Sequence, residues 1–257
     1  MFVHFKKFFA LLTLALAMVS LTALNGRAEE ATAKEDSVSG EAALSVMSAY
    51  IWRGQELTRH SIVLQPSATI SYKGFSANAW ANIDTRPYSA ADENHSANLT
   101  EADITLSYFR KLWLINAGVG YIYYALNAPY SGASDPLDSQ ELFVSVGLDT
   151  LLSPTLTVYK EIDHYYQWYI LLGVSHTFQF NDMIGLKLAG SVSYLKSEDA
   201  SMYPKFDSNA MATNRKFNNF HDGTLSVSLP LTLTKHVTIT PLVTYVFPLS
   251  SNARYEM

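Results

Sequence analysis

Apolar and polar residues alternate along most of this chain with a period of two. Between Ala68 and Trp80, Ala68, Ile70 and Tyr72 alternate with Thr69, Ser71 and Lys73. Beyond Lys73-Gly74, Phe75, Ala77 and Ala79 alternate with Ser76, Asn78 and Trp80. A period of two predicts β-strand, and the Lys-Gly junction predicts a tight hairpin. Eleven such segments fall at about 42–53, 61–73, 75–84, 101–110, 112–124, 139–149, 154–163, 166–178, 183–195, 222–232 and 236–247. None has helical spacing, so the expected class is all-β.

The connections sharpen the prediction. Short ones (Lys73-Gly74, Arg110-Lys111, Thr150 to Ser153, Gln179 to Asn181, Leu233 to Lys235) alternate with longer ones at 54–60, 85–100, 125–138, 164–165 (frayed toward 160–167) and 196–221. Strict alternation of short turns and long loops is the layout of an antiparallel up-and-down transmembrane β-barrel with periplasmic turns and external loops. A soluble β-sandwich also alternates apolar and polar positions, but it has no reason to sort loop lengths by parity. The aromatics Tyr50, Trp52, Tyr72, Phe75, Tyr108, Trp113, Tyr121, Tyr123, Tyr245 and Phe247 fall at segment ends. Rings with a polar tip favour the membrane–water boundary, so these are expected to form two girdles. Barrels of a single bacterial chain carry even strand numbers. Eleven segments therefore point to twelve strands with the last one missing after Phe247, and 42–257 is read as a C-terminally truncated barrel. A miscount by one is the competing reading.

Each segment has an oily side and a small, polar side. Leu142, Val144, Val146 and Leu148 oppose Glu141, Phe143, Ser145 and Gly147; Leu225, Val227 and Leu229 oppose Thr224, Ser226 and Ser228. Arg or Lys facing lipid at mid-depth costs about 2–4 kcal/mol, and Glu141 and Lys187 accordingly sit on the Ser/Thr/Gly side. The expected interior charges are Arg53, Asp84, Glu101, Asp103, Glu141, Glu161, Asp163 and Lys187, the acidic ones mostly toward the outer strand ends.

The chain begins as an exported protein does. Lys6 and Lys7 precede the apolar run Phe8 to Leu21, and Gly26 and Ala28 supply the small residues of a cleavage site, so 1–28 reads as a secretory signal. Residues 29–41, charged and small, read as a flexible periplasmic lead-in. Loss of 1–28 removes Lys6, Lys7 and Arg27 and no acid, leaving 15 Lys+Arg against 23 Asp+Glu, a net charge of −8. That balance argues against nucleic acid as a partner. There is no cysteine, so export here does not rest on disulfides. The expected location is the outer membrane of a Gram-negative cell.

Several short stretches resemble the TorF family of bacterial outer-membrane porins. They are Tyr50-Ile51-Trp52-Arg53-Gly54, Leu64-Gln65-Pro66, Tyr72-Lys73-Gly74-Phe75, the pair Glu101 and Asp103, Gln140-Glu141, and the run from Leu151 to Asp163. They span most of the chain after the signal, and none is a catalytic signature. The resemblance implies a porin-like barrel and no particular substrate. It also implies a final aromatic-tipped strand used in membrane assembly, from which this chain departs.

The leading functional expectation is a channel for passive diffusion of small polar solutes or ions. A ring of carboxylates would give it a weak cation preference. Its partners would be outer-membrane lipid and lipopolysaccharide, the outer-membrane assembly machinery and the solutes themselves. The alternative is a structural or binding barrel whose charges satisfy one another in a plugged interior and whose outer loops contact a partner. An outer-membrane lipid hydrolase is a third class. Asp163-His164 and Ser175-His176 are the places to look for it, yet neighbours in a strand face opposite ways and are not expected to act together. Loop 196–221, rich in Asn, Asp, Lys and aromatics, is a candidate constriction without the ligand spacing of a calcium loop. Asn98-Leu99-Thr100 matches a glycosylation sequon by chance. No cofactor fingerprint, phosphate loop or zinc spacing is present, and the chain is expected not to be an enzyme.

Overall fold

In the computed structural model, residues 11–23, 37–58, 61–86, 97–128 and 136–257 are described. The charged start of the export signal, its cleavage site and the lead-in up to residue 36 lie outside the described residues. The strands are β1 (Leu11–Ala23), β2 (Ser39–Met47), β3 (Ile51–Trp52), β4 (Gln55–Glu56), β5 (Val63–Tyr72), β6 (Phe75–Asp84), β7 (Asn98–Leu112) and β8 (Ile115–Leu126). They continue as β9 (Ser139–Leu148), β10 (Thr155–Glu161), β11 (Gln167–Gln179), β12 (Gly185–Ser197), β13 (Pro204–Phe206), β14 (Ala212–Lys216), β15 (Asn218–Ser228), β16 (Leu231–Thr234) and β17 (Val237–Pro248). A single turn of helix, α1 (Ser251–Arg254), follows, capped by the Ser250 hydroxyl, which accepts from the Ala253 N–H at 3.2 Å.

One antiparallel sheet contains nearly all of this, in the order β1-β2-β5-β6-β7-β8-β9-β10-β11-β12-β15-β17-β16. β15 and β16 are one strand interrupted at Leu229-Pro230, since both pair with β17 in continuous sequence. Counted so, β2 and its successors reproduce the eleven expected segments. The twelfth strand is β1, from the stretch read as a signal, which pairs with β2 on one side and β17 on the other. Within this sheet each strand pairs with the next of its strands in sequence, the β3–β4 and β13–β14 hairpins being excursions from it, and β1 and β17 pair first to last.

The two faces of the sheet are opposite in chemistry. On one, Leu142, Val144, Val146, Ile104, Leu106 and Leu225 stand 44–55% exposed. On the other, hydroxyls and amides bond across strands. Ser145 Oγ lies 2.9 Å from Thr157 Oγ1, Ser76 Oγ 2.9 Å from Ser107 Oγ, and Asn82 accepts from Gln65 at 3.0 Å and donates to Thr100 at 2.8 Å. Among the described residues, fifteen polar or charged residues are buried against nine apolar ones. That inverts the distribution of a water-soluble fold. The polar face also carries an aromatic row, Phe109–Phe143–Tyr159–Tyr169, with ring centroids 6.3, 5.6 and 6.2 Å apart. It has room for these rings because Gly118 and Gly120 oppose them. A Cβ on Gly118 would stand 2.3 Å from the Phe109 ring, and one on Gly120 would stand 2.4 Å from the Phe143 ring.

Two expectations about local structure are corrected. The first strand was expected to run to Arg53, but β2 stops at Met47, and residues 50–58 form a separate hairpin through β3 and β4. Tyr50 and Trp52 consequently leave the expected girdle. Tyr50 packs on Trp80 at 5.6 Å and Trp52 on Tyr124 at 6.4 Å. The second concerns the expected turn at Arg110-Lys111, which lies at Trp113-Leu114 instead. Leu112 pairs with Ile115 there, extending both strands while keeping the face of every residue.

Candidate functional site

Three segments that are distant in sequence fold onto the polar face at the end of the sheet carrying the long loops. They are the hairpin 50–58, the excursion 198–217 with β13 and β14, and residues 249–257 with α1. The hairpin is closed by the Leu57 N–H donating to Tyr50 O at 2.8 Å and the Tyr50 N–H donating to Thr58 Oγ1 at 2.7 Å. Its tip turns through positive φ at Arg53 (47°) and Gly54 (81°). A Cβ on Gly54 would stand 2.8 Å from Met257 Cε and 2.9 Å from Asp222 Cβ, so this tip needs glycine for both conformation and space.

Arg53 carries the charge of that tip. Its Nη1 and Nη2 donate to Glu141 Oε1 and Oε2, both at 2.7 Å, with side-chain exposures of 8% and 1%. The guanidinium also lies 4.4 Å from the Tyr169 ring centroid and 4.5 Å from that of Trp52. Burial alone would lower its pKa, but the Glu141 carboxylate outweighs burial and the net displacement is upward. Tyr124 OH donates to Glu141 Oε2 at 2.8 Å, completing the carboxylate's shell. Such a bidentate, hydrogen-bonded geometry is what makes a buried pair tolerable.

A second buried cluster was missed at the level of sequence. His221 and Asp222 are adjacent, yet both are buried on the polar face, because β15 bulges opposite Ser193 of β12. A bulge sets two residues against one and breaks the alternation. Asp222 Oδ1 accepts from Ser193 Oγ at 2.6 Å and from Tyr169 OH at 3.0 Å, and lies 3.0 Å from His221 Nδ1. On the other side of the ring, His221 Nε2 lies 3.1 Å from Tyr203 OH and 3.3 Å from Glu256 Oε1. Tyr203 OH donates to Glu256, as does Gln55 Nε2 at 2.5 Å, so all three inward segments meet at this carboxylate. Phe217, fully buried, packs edge-on against Tyr203 and His221 at 6.0 and 5.2 Å. Burial pushes the Glu256 carboxyl up to about 7, opposed in part by the Gln55 hydrogen bond.

The other expected interior charges fall as follows. Asp84, Glu101, Asp103 and Glu161 lie on the polar face at the long-loop end, with Asp84, Glu101 and Glu161 buried. The Tyr50 phenol beside Glu101 is held protonated, its pKa raised by burial first and by Glu101 next. Glu161 terminates β10 as a backbone cap, accepting N–H bonds from Asp163, His164, Tyr165 and Tyr166 at 2.6–3.1 Å. Asp163 does not join the polar face. It accepts from Gln140 at 2.9 Å, and Gln140 in turn accepts from Tyr121 on the apolar side. Because β10 has ended at Glu161, His164 Nδ1 approaches Asp163 Oδ2 to 3.2 Å, so the two do meet, at a half-exposed strand end. Lys187 is on the polar face but at the opposite end, beside a cavity of about 260 Å³ lined by Ser153, Thr155, Ser175, Ser191 and Ser226. Arg53 and Lys187 therefore serve different ends of the sheet. Ser175 and His176 point to opposite faces, His176 Nδ1 lying 2.6 Å from Leu151 O. Among the described residues no group of three His, Asp or Glu is placed to hold a metal ion.

Between the hairpin, the excursion and the sheet wall lies a cavity of about 690 Å³. Glu56, Asp84, Glu101 and Glu256 line it together with Tyr50, Trp52, Tyr165 and Tyr203. No family model matches this chain, and no curated protein matches it either.

Proposed function

We propose that this protein is an outer-membrane β-barrel acting as a narrow, plug-restricted channel for small polar solutes, with cations preferred. The observation that carries the reading is the inverted distribution of side chains. A continuous surface of exposed Leu, Val and Ile this large is unstable in water but suits acyl chains. The eleven strands after β1 form one continuous antiparallel wall, and β1, within the stretch read as a signal, occupies the place of a twelfth between β2 and β17. The alternation of short turns and long loops supports both chain-crossing and orientation, and the resemblance to TorF family porins points the same way. Asp84 and Glu101 at the long-loop end would attract cations entering from outside, while Arg53 and Glu141 neutralise each other.

A specific observation favours a second reading: the hairpin, the excursion and residues 249–257 pack into the mouth with fully buried side chains. On that reading the barrel is plugged and serves binding or structure. The hydrolase class gains no support, because Ser175 and His176 diverge and His221 is shut away from lipid. Planar-bilayer recording of the purified protein under a KCl gradient tests the channel. Small conductance with a cation-selective reversal potential is expected. Anion selectivity overturns the reading, and silence of both wild type and a variant with the hairpin released transfers it to the plugged barrel.

A further inference from the structure

We propose that the 690 Å³ cavity at the long-loop end binds a small organic ammonium ion that carries N–H donors. The inference names the solute class of the channel proposed above and rests on that reading for its transport role, though not for binding itself.

Three independent features of the cavity select this chemistry. The first is charge: four acidic side chains, Glu56, Asp84, Glu101 and Glu256, line it, the last ionising as pH rises through about 7, and among the described lining residues there is no Lys or Arg. The nearest buried cation, Arg53, already has both guanidinium nitrogens on Glu141 and is stacked between Trp52 and Tyr169. The second is orphan acceptors. Gln167 Oε1, on a residue 3% exposed, is buried without a hydrogen-bond partner, and Glu256 Oε2, on a side chain 4% exposed, joins it once that carboxyl ionises; both side chains line this cavity. A buried acceptor left unmade costs about 1–3 kcal/mol, and a donor arriving from a ligand removes that cost. Acceptors call for N–H groups, which a quaternary ammonium lacks.

The third feature is the rest of the lining. Trp52, Leu57, Leu126, Met202, Phe206 and Met257 make most of the wall apolar or aromatic. A bare metal ion finds no ligand cluster there among the described residues. An ammonium on an organic body finds ring faces for its charge and an apolar surface for its carbon skeleton. The volume lies within the range of sites that enclose small organic ligands.

Isothermal titration calorimetry on the full chain in detergent micelles tests this, with 2-phenylethylammonium as probe and a blank titration into micelles alone. Its N,N,N-trimethyl analogue and phenylacetate serve as comparisons. Saturable binding of the primary ammonium is expected, at least tenfold weaker for the trimethyl analogue, with none for phenylacetate. Glu101→Gln and Glu256→Gln should each weaken binding about tenfold; the first keeps the inquiry open where the second disturbs the packing of residues 249–257. Phenylacetate binding as tightly as the amine, or no change in either variant, overturns the proposal. Because calorimetry needs no conduction, a silent bilayer with intact binding defeats only the channel, and a conducting protein without binding defeats only the ligand class.

Discussion

Glu141→Gln should open the mouth. In the native protein the hairpin tip is held by a bidentate ion pair that is almost wholly buried, with exposures of 8% and 1%. Removing one partner of a buried pair leaves the other charge uncompensated, at a cost of about 3–5 kcal/mol. The amide retains one acceptor for Arg53 and the cation–π contacts persist, so the lower end of that range is the expected loss. About 3 kcal/mol is roughly a hundredfold change in the ratio of docked to released hairpin, since 1.4 kcal/mol is a factor of ten. The Arg53–Gly54 bond is itself a trypsin site, and burial of Arg53 protects it. When opening is fast relative to cleavage, proteolysis reports the equilibrium population of the open form. Cleavage at Arg53 in micelles, followed by intact mass, should therefore accelerate about a hundredfold in Glu141→Gln, and single-channel conductance should rise in parallel. Replacing both partners with apolar residues, Arg53→Met with Glu141→Leu, should restore the small conductance, because matched apolar pairs often substitute for buried ion pairs. An unchanged tryptic rate together with unchanged conductance in Glu141→Gln would refute the assignment of this pair as the latch.

Two further outcomes follow from the same geometry. The Glu256 carboxyl, facing Tyr203, Gln55 and His221, is raised by burial from 4.5 to about 7. The released segment loses its proton first, so docking of residues 249–257 is fully stabilised below pH about 4.5 and weakens as pH rises through about 7. At 1.36 kcal/mol per unit the effect is on the order of 3 kcal/mol. The chain has no cysteine, so a spin label on Ser251→Cys should become more mobile between pH 5 and 8, and Glu256→Gln should flatten the response; equal responses would remove Glu256 as the cause. Val144→Arg, at the middle of β9 on the apolar face, should lower unfolding stability in lipid by about 2–4 kcal/mol relative to Val144→Ala, and equal urea midpoints in liposomes would show that this face does not meet hydrocarbon.

The wall was legible in the sequence because its signal is strictly periodic and repeats in eleven segments; β6 matches its expected limits of 75–84 residue for residue. The face of Glu141, Lys187 and the Leu/Val rows could be read off for the same reason. The three inward segments were not legible, because they carry no period. Tyr50-Ile51-Trp52-Arg53 looks like the aromatic end of a strand, and only the positive φ at Arg53 and Gly54 turns it inward. The one local clue was Arg53-Gly54 itself, a residue pair suited to a tight turn. Residues 249–257 look like the start of an external loop, yet Ala253 is fully buried. His221-Asp222 escaped because alternation assigns neighbours to opposite faces, and a bulge is invisible to that rule. Asp163 was misplaced for the converse reason: β10 ends two residues before it, so the strand's alternation no longer governs its direction.

The contact between Gln55 and Glu256 joins residues 201 positions apart. Everything between them, including ten strands of the wall, must be in place before that hydrogen bond can form. Ring closure over so much chain is slow compared with zipping up neighbouring hairpins. On the channel reading, a molecule caught midway through insertion would be a leaky one, and the seal at its mouth a late product of assembly.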